Sequence, residues 1–237
     1  MQLDRISVSP DETHHLLEGR ALYATRFLEV LKFHPPGLAA ARSEAGSFHI
    51  HLDGQAAYAH RFRRTFGFYE QFAAVTDESG WFHIHPSGEA AYPERYVWCG
   101  NYQQGRVPVR DAAGRYFHLK PDGRPAYAQT FRYAGDYRDG VAAVRDADGL
   151  CCHIDLGGEP IHAGRFLDLD VFHKGFARAR DAGGWFHIRR DGSPAYRTRF
   201  KEIEPLYNGE AHARTLAGRW VVVSESGAII HEVWEAS

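Results

Sequence analysis

The sequence predicts an all-β fold, an array of about six 34–35-residue β-hairpin repeats preceded by a short N-terminal capping helix. Three observations carry that prediction. A histidine returns at His49, His83, His118, His153 and His187, in steps of 34 or 35 residues. Each stands in a strand-like run, as in GSFHIHLDGQAAY, GWFHIHPSGEAAY and GWFHIRRDGSPAY. Each run is bounded by Asp/Gly turn chemistry, and self-similarity at this period marks units that bury a shared core by stacking on one another.

The elements follow in chain order. Ser9-Pro10-Asp11-Glu12 reads as an N-cap serine, a proline at the first helical position and a glutamate at the third, with Gly19 as a stop. A short helix over residues 1–20 is therefore expected to cover the open edge of the first repeat. Residues 21–237 then hold the repeats in a single domain. In each copy a G-x-A-x-V/A-R run, such as residues 140–145, supplies one strand, a D-x-x-G turn reverses the chain, and the F-H-I run supplies the second. Two period-2 runs joined by Asp/Gly read as an antiparallel hairpin. A segment of the form A-Y-x-x-R-F leads across to the next copy. The last copy, GRWVVVSESGAII, is degenerate and puts Val221 in the histidine column.

Composition narrows the function classes. Lys+Arg 28 against Asp+Glu 30 gives a net charge of -2, so no basic field exists for a phosphate backbone and no nucleic-acid partner is expected. The longest apolar runs, such as residues 220–223, are far shorter than a membrane span, and the N-terminus lacks a basic-then-apolar signal. Cys99, Cys151 and Cys152 are odd in number and form no C-x-x-C pair, which suits a reducing, cytoplasmic setting. No nucleophile elbow, phosphate loop or dinucleotide fingerprint is present. No metal is expected either. His49 and His51, like His83 and His85, share a strand face, and Cys151-Cys152-His153 adds soft ligands, but the matching partners of His118 and His187 are Lys120 and Arg189. The in-register histidines read as a repeat-wide packing element.

Stacking the copies separates scaffold from exception. One column holds Gly37, Gly105, Gly140, Gly175 and Gly209, a position that calls for positive φ, and in the copy FGFYEQFAAV it holds Gln71. The column before it reads Pro36, Glu70, Gln104, Asp139, Lys174 and Asn208. Glu70 stands apart because Phe66, Phe68, Tyr69 and Phe72 flank it, which is expected to remove it from water and raise its pKa; the alternative is an ordinary exposed turn carboxylate. His60 is the one histidine in a column reading Thr25, His60, Glu94, Gln129 and Thr198. A column of arginines, Arg42, Arg110, Arg145, Arg180 and Arg214, is broken only by Thr76 in the same copy. Arg42 is expected to reach toward that gap or to pair with a neighbouring carboxylate.

These units resemble the WG (tryptophan-glycine) β-repeat family from about Tyr23 to the end. The family has glycine after tryptophan, whereas this chain has Phe82 after Trp81 and Phe186 after Trp185, rings expected to widen an aromatic strip. The block HRFRRTFGFYEQFAAV, with the later VFHKGFARARDAGGWFH, is also similar to bacterial Pictet–Spenglerases of the marinacarboline type, which form β-carbolines. That resemblance implies a cofactor-independent condensation of an indole-ethylamine with an aldehyde by a homodimer. Glu70 would be the base, His60 a proton shuttle, and Arg42 the partner of a substrate carboxylate. Tyr69, Phe68, Phe72, Trp81 and Trp98 would bind the indole. The other reading is a non-enzymatic WG-type module that binds a peptide or protein partner along a strand edge or the aromatic strip. An enzyme concentrates its exceptions in one copy, whereas a binding array spreads its signature over many.

Overall fold

In a computed structural model, which describes residues 3–233, the chain forms 22 β-strands in seven small antiparallel sheets. The first compact unit, Met1–Ala126, contains four of them. They are β1 (Ile6–Val8), β2 (His15–Leu17) and β3 (Arg20–Ala21); β4 (Glu29–Val30), β5 (Ala39–Ser43) and β6 (Gly46–Ile50); β7 (Arg64–Tyr69), β8 (Phe72–Asp77) and β9 (Gly80–Ile84); and β10 (Trp98–Cys99), β11 (Val107–Arg110) and β12 (Tyr116–Leu119). The second unit, Tyr127–Ser237, contains β13 (Tyr133–Ala134), β14 (Val141–Arg145) and β15 (Cys151–Asp155); β16 (Asp168–Leu169), β17 (Phe176–Asp181) and β18 (Gly184–Arg189); and β19 (Glu202–Ile203), β20 (Glu210–Arg214), β21 (Trp220–Ser224) and β22 (Ile229–Glu232).

The hairpin of each repeat is therefore joined by a third strand, laid down just after the A-Y-x-x-R-F segment. In most copies it is two residues long, too short for an alternating pattern to announce it. The arginine of that segment shapes the crossing. The Arg61 guanidinium donates to the Tyr58, Ala59 and His60 carbonyls and covers the Phe48 ring at 3.8 Å; Arg95 and Arg199 repeat both contacts, over Phe82 and Phe186. Phe82 and Phe186 are accordingly buried beneath guanidinium groups, which corrects the expectation that they widen an exposed strip.

The capping helix is also overturned: the described residues contain no α-helix, only a 3-10 turn at Leu3–Arg5. The residues that signal a helix start close the β1–β2 turn instead. Ser9 Oγ donates to Asp11 Oδ1 at 2.5 Å, the Glu12 amide donates to the Ser9 carbonyl, and Glu12 takes φ 56°, which an α-helix cannot include. Strand β2 carries His15, thirty-four residues before His49, so the N-terminus is a further copy of the repeat.

The histidines knit each copy to the next. His49 Nε2 lies 2.8 Å from the Phe66 carbonyl of the following copy, and a carbonyl only accepts, so Nε2 carries the proton. Nδ1 is then an acceptor for the Tyr58 hydroxyl at 2.5 Å. His15, His83 and His187 repeat the arrangement with Tyr23, Tyr92 and Tyr196 on one side and the Leu31, Gly100 and Glu204 carbonyls on the other. In the His153 copy, His162 stands in for tyrosine at 2.9 Å. With both ring nitrogens engaged and burial holding His49, His83, His153 and His187 at about 4, these rings are neutral scaffold groups with no lone pair left for a metal. Among the described residues no cluster of histidine, cysteine, aspartate or glutamate could hold a metal ion. A second tie is steric: the Gly88 Cα lies so close to the Tyr58 ring that a Cβ would fall 2.5 Å from Cγ, and Gly54, Gly123, Gly158 and Gly227 are pressed against tyrosines in the same way.

Candidate functional site

The turn at Glu70 and Gln71 joins β7 to β8. Glu70 has φ 48° and Gln71 φ 75°, two successive left-handed residues, as in a type I′ turn. The same backbone recurs at Gln104–Gly105, Asp139–Gly140, Lys174–Gly175 and Asn208–Gly209, so the turn is common to the array. Gln71 keeps it without glycine. A Cβ at Gly37, Gly105, Gly140 or Gly175 would meet nothing within 4 Å, so a side chain in this column costs conformational energy but no clash.

Glu70 is exposed, not enclosed by rings. Its carboxylate accepts the backbone N–H of Gln104 at 2.6 Å and of Gly105 at 2.7 Å, bridging to the turn of the next copy. Lys174 reaches Asn208 Oδ1 in the same column of the second unit, so the position serves as a tie between turns. The residues expected beside Glu70 lie elsewhere. His60 is exposed against Phe62 and precedes β7, whose six residues at about 3.3 Å each place it roughly 15–20 Å from the turn. Arg42 pairs across strands with Glu29 at 3.1 Å, in a row that lies at the end of the sheet away from the turn. Phe68 is buried on His49, Tyr69 packs on His34, Phe72 on Tyr102, and Trp81 on Phe66, while Trp98 belongs to the next sheet and packs on Tyr116. Glu70, His60 and Arg42 do not converge.

The Arg42 row leads to a different site. The cross-strand pairs along it are Glu29 with Arg42, Arg64 with Thr76, Trp98 with Arg110, Tyr133 with Arg145, Asp168 with Arg180 and Glu202 with Arg214. Thr76 thus stands where arginine is missing because its partner is already the cation Arg64, and like charges directly opposite destabilise a sheet. Arg64 lies over the Phe66 ring at 5.4 Å and, like Arg63, has no carboxylate partner among the described residues.

A groove of about 510 Å³ opens here between β4–β6 and β7, lined by Glu29, Arg42, Ser47, Arg63, Arg64 and Phe66 among others. Three guanidinium groups face one carboxylate, and that carboxylate is shared with Arg42 at a half-exposed pair worth little in water. Ser47 leaves room here: its column holds Trp81, Tyr116, Trp185 and Trp220 in four other copies and the small Cys151 in another. A related groove in the second unit, of about 310 Å³, is narrowed by Trp185 and Trp220 and lined by both signs, with Glu204 near His212 and Glu202 near Arg214. Arg63, Arg64 and Ser47 escaped the sequence reading, although the row beginning at Glu29 and the contrast of GSFHIH with GWFHIH both contain the signal.

The three cysteines are free and buried, and burial pushes the Cys99 thiol up to about 12 and raises Cys151 and Cys152, so none is a poised nucleophile. No helix among the described residues is long and apolar enough to cross a membrane.

No protein-family model matches this chain. No curated protein matches it. Among solved structures it is similar to BamB from Moraxella catarrhalis, with a TM-score of 0.52 and 13% identity over 98% of this chain and 86% of that one. It is also similar to a eukaryotic initiation factor, with a TM-score of 0.52 and 8% identity over 88% of this chain and 65% of that one. These neighbours are of β-propeller type and show the fold, a repeat of small antiparallel sheets, and nothing of activity.

Proposed function

We propose that this chain is a non-enzymatic WG-like repeat module that binds a peptide or protein partner in the groove between its second and third sheets. The observation that carries the reading is the groove itself. It opens where serine, at Ser47, replaces the aromatic residue that four other copies carry, and where the row of cross-strand pairs reverses its charge, at Arg64. Those departures concern contact surface and leave the scaffold ties intact. Three unpaired, buried thiols fit work in a reducing cytoplasm.

Panning the full chain against a random heptapeptide display library tests this. The expected result is a family of sequences retained by the native chain and lost by Ser47→Trp, which introduces the ring found in four other copies. Recovery of no sequence sensitive to Ser47→Trp would overturn the reading.

The condensation reading is supported by the similarity of residues 60–75 and asks for a base held among rings. Glu70, exposed and bonded by two amides, fits that demand less well. It makes its own claim: tryptamine or tryptophan with a reactive aldehyde should give tetrahydro-β-carboline above the buffer rate, and Glu70→Gln should lower that rate by roughly 10²-fold or more. Product formation with that loss would put the enzyme in place of the module.

A further inference from the structure

We infer that the groove receives an acidic peptide segment carrying one aromatic side chain, whose ring enters the space beside Ser47 while flanking carboxylates meet Arg63 and Arg64. This rests on the binding-module reading and gives it a ligand chemistry.

The space argues for the ring. In three other copies the residue in the Ser47 column is a ring beside arginines of its own sheet: Trp185 is 5.7 Å from Arg180 and 5.5 Å from Arg178, Tyr116 is 5.7 Å from Arg110, and Trp220 is 6.0 Å from Arg214. Arg42 occupies the same place but faces a serine at the groove, whereas Arg145, which faces Cys151, turns to Asp168 and the Leu167 carbonyl. An aromatic side chain supplied by a ligand would complete the row, with Arg42 on one side and Phe66 on the other. The groove lies within the range of roughly 300–1,000 Å³ typical of sites that enclose a ligand.

Charge argues for the carboxylates. Arg42, Arg63 and Arg64 against Glu29 leave an excess of two positive charges on a chain whose overall charge is -2. Guanidinium groups match carboxylates in a fixed fork geometry. Strand addition is not the mode here, because the Ser47 N–H and carbonyl are both taken by Phe62. Recognition falls to side chains, and an aromatic residue between acidic ones presents both required groups within a few residues.

The probe is a fluorescein-labelled heptapeptide with one tryptophan among glutamates, titrated with the full chain by fluorescence anisotropy. It should bind at least tenfold more tightly than the same peptide with alanine for tryptophan or lysine for glutamate, and its affinity should fall as salt rises. Arg64→Glu should weaken it at least tenfold; the row already holds glutamate at Glu29 and Glu202, so this variant suits the fold, and a melting curve like that of the native chain checks it. Equal binding of the lysine peptide, unchanged affinity in Arg64→Glu, or displacement by oligothymidylate at lower concentration than by unlabelled peptide would overturn the inference. If library panning returns Ser47→Trp-sensitive sequences without acidic residues, the module reading stands and this inference falls. If panning returns nothing, both fall.

Discussion

Acidification should unfold this protein through its histidine column. His49, His83, His153 and His187 are each held by burial at about 4, below the ordinary value of 6.5, and burial lowers His15 as well. The folded state binds these protons more weakly than the unfolded chain. Their contribution is therefore complete above pH 6.5 and lost as pH falls from there toward 4. Each tenfold difference in proton affinity between the two states is worth about 1.36 kcal/mol, so one such group loses on the order of 2 kcal/mol by about pH 5. The four together lose roughly 8 kcal/mol, which rivals the whole stability of an ordinary domain at about 5–15 kcal/mol. The charged ring cannot be accommodated by turning, because Nδ1 already accepts from a tyrosine hydroxyl that would have to move. Urea melts followed by tryptophan fluorescence at several pH values between about 7.5 and 5 measure this directly, and near pH 5.25 the slope should correspond to uptake of about four protons on unfolding. His83→Gln, which retains a donor for the Gly100 carbonyl, should remove about a quarter of the dependence. A stability that stays flat across this range, or a His83→Gln chain as acid-sensitive as the native one, would refute the reasoning.

Two further predictions concern the backbone. Gln71→Gly relieves a left-handed non-glycine residue in a turn whose other copies carry glycine, and after the entropy of the freer unfolded chain is counted it should stabilise by roughly 0.5–1 kcal/mol, read as a melting point about 1–4 °C higher. A lower melting point would show that the Gln71 side chain makes a stabilising contact. Gly88→Ala places a methyl 2.5 Å from Tyr58 Cγ and forces a side chain at φ +85°, so the urea midpoint should drop by the equivalent of about 2–4 kcal/mol. A loss under about 0.5 kcal/mol would mean the Tyr58 ring yields freely and is not a fixed tie between copies.

The repeat was legible in the sequence because its determinants are local: a 34–35-residue period, alternation within each hairpin, and Asp/Gly at the reversals. The positive φ of the glycine column, and the scaffold role of histidines that recur in register, follow from the same local logic. His15 was within reach by counting one period back from His49. The helix signal at Ser9 to Glu12 misled because Ser, Asp and Thr side chains stabilise a tight turn as readily as a helix start. The choice fell to the strand that pairs beyond it, with the Val30 N–H donating to the Glu12 carbonyl of the preceding copy. Only the tertiary structure decided the site. Glu70 sits among aromatic residues in the chain, but it lies past the end of β7 in a left-handed turn, so Phe68 enters the core from the strand while the carboxylate meets amides thirty-four and thirty-five residues on. Ser47 and Arg64 each depart from their own column, but they stand seventeen positions apart and nothing local joins them. They form one groove because the A-Y-x-x-R-F crossing, pinned by Arg61 on three carbonyls, lays the next copy's first strand against the sheet that carries Ser47.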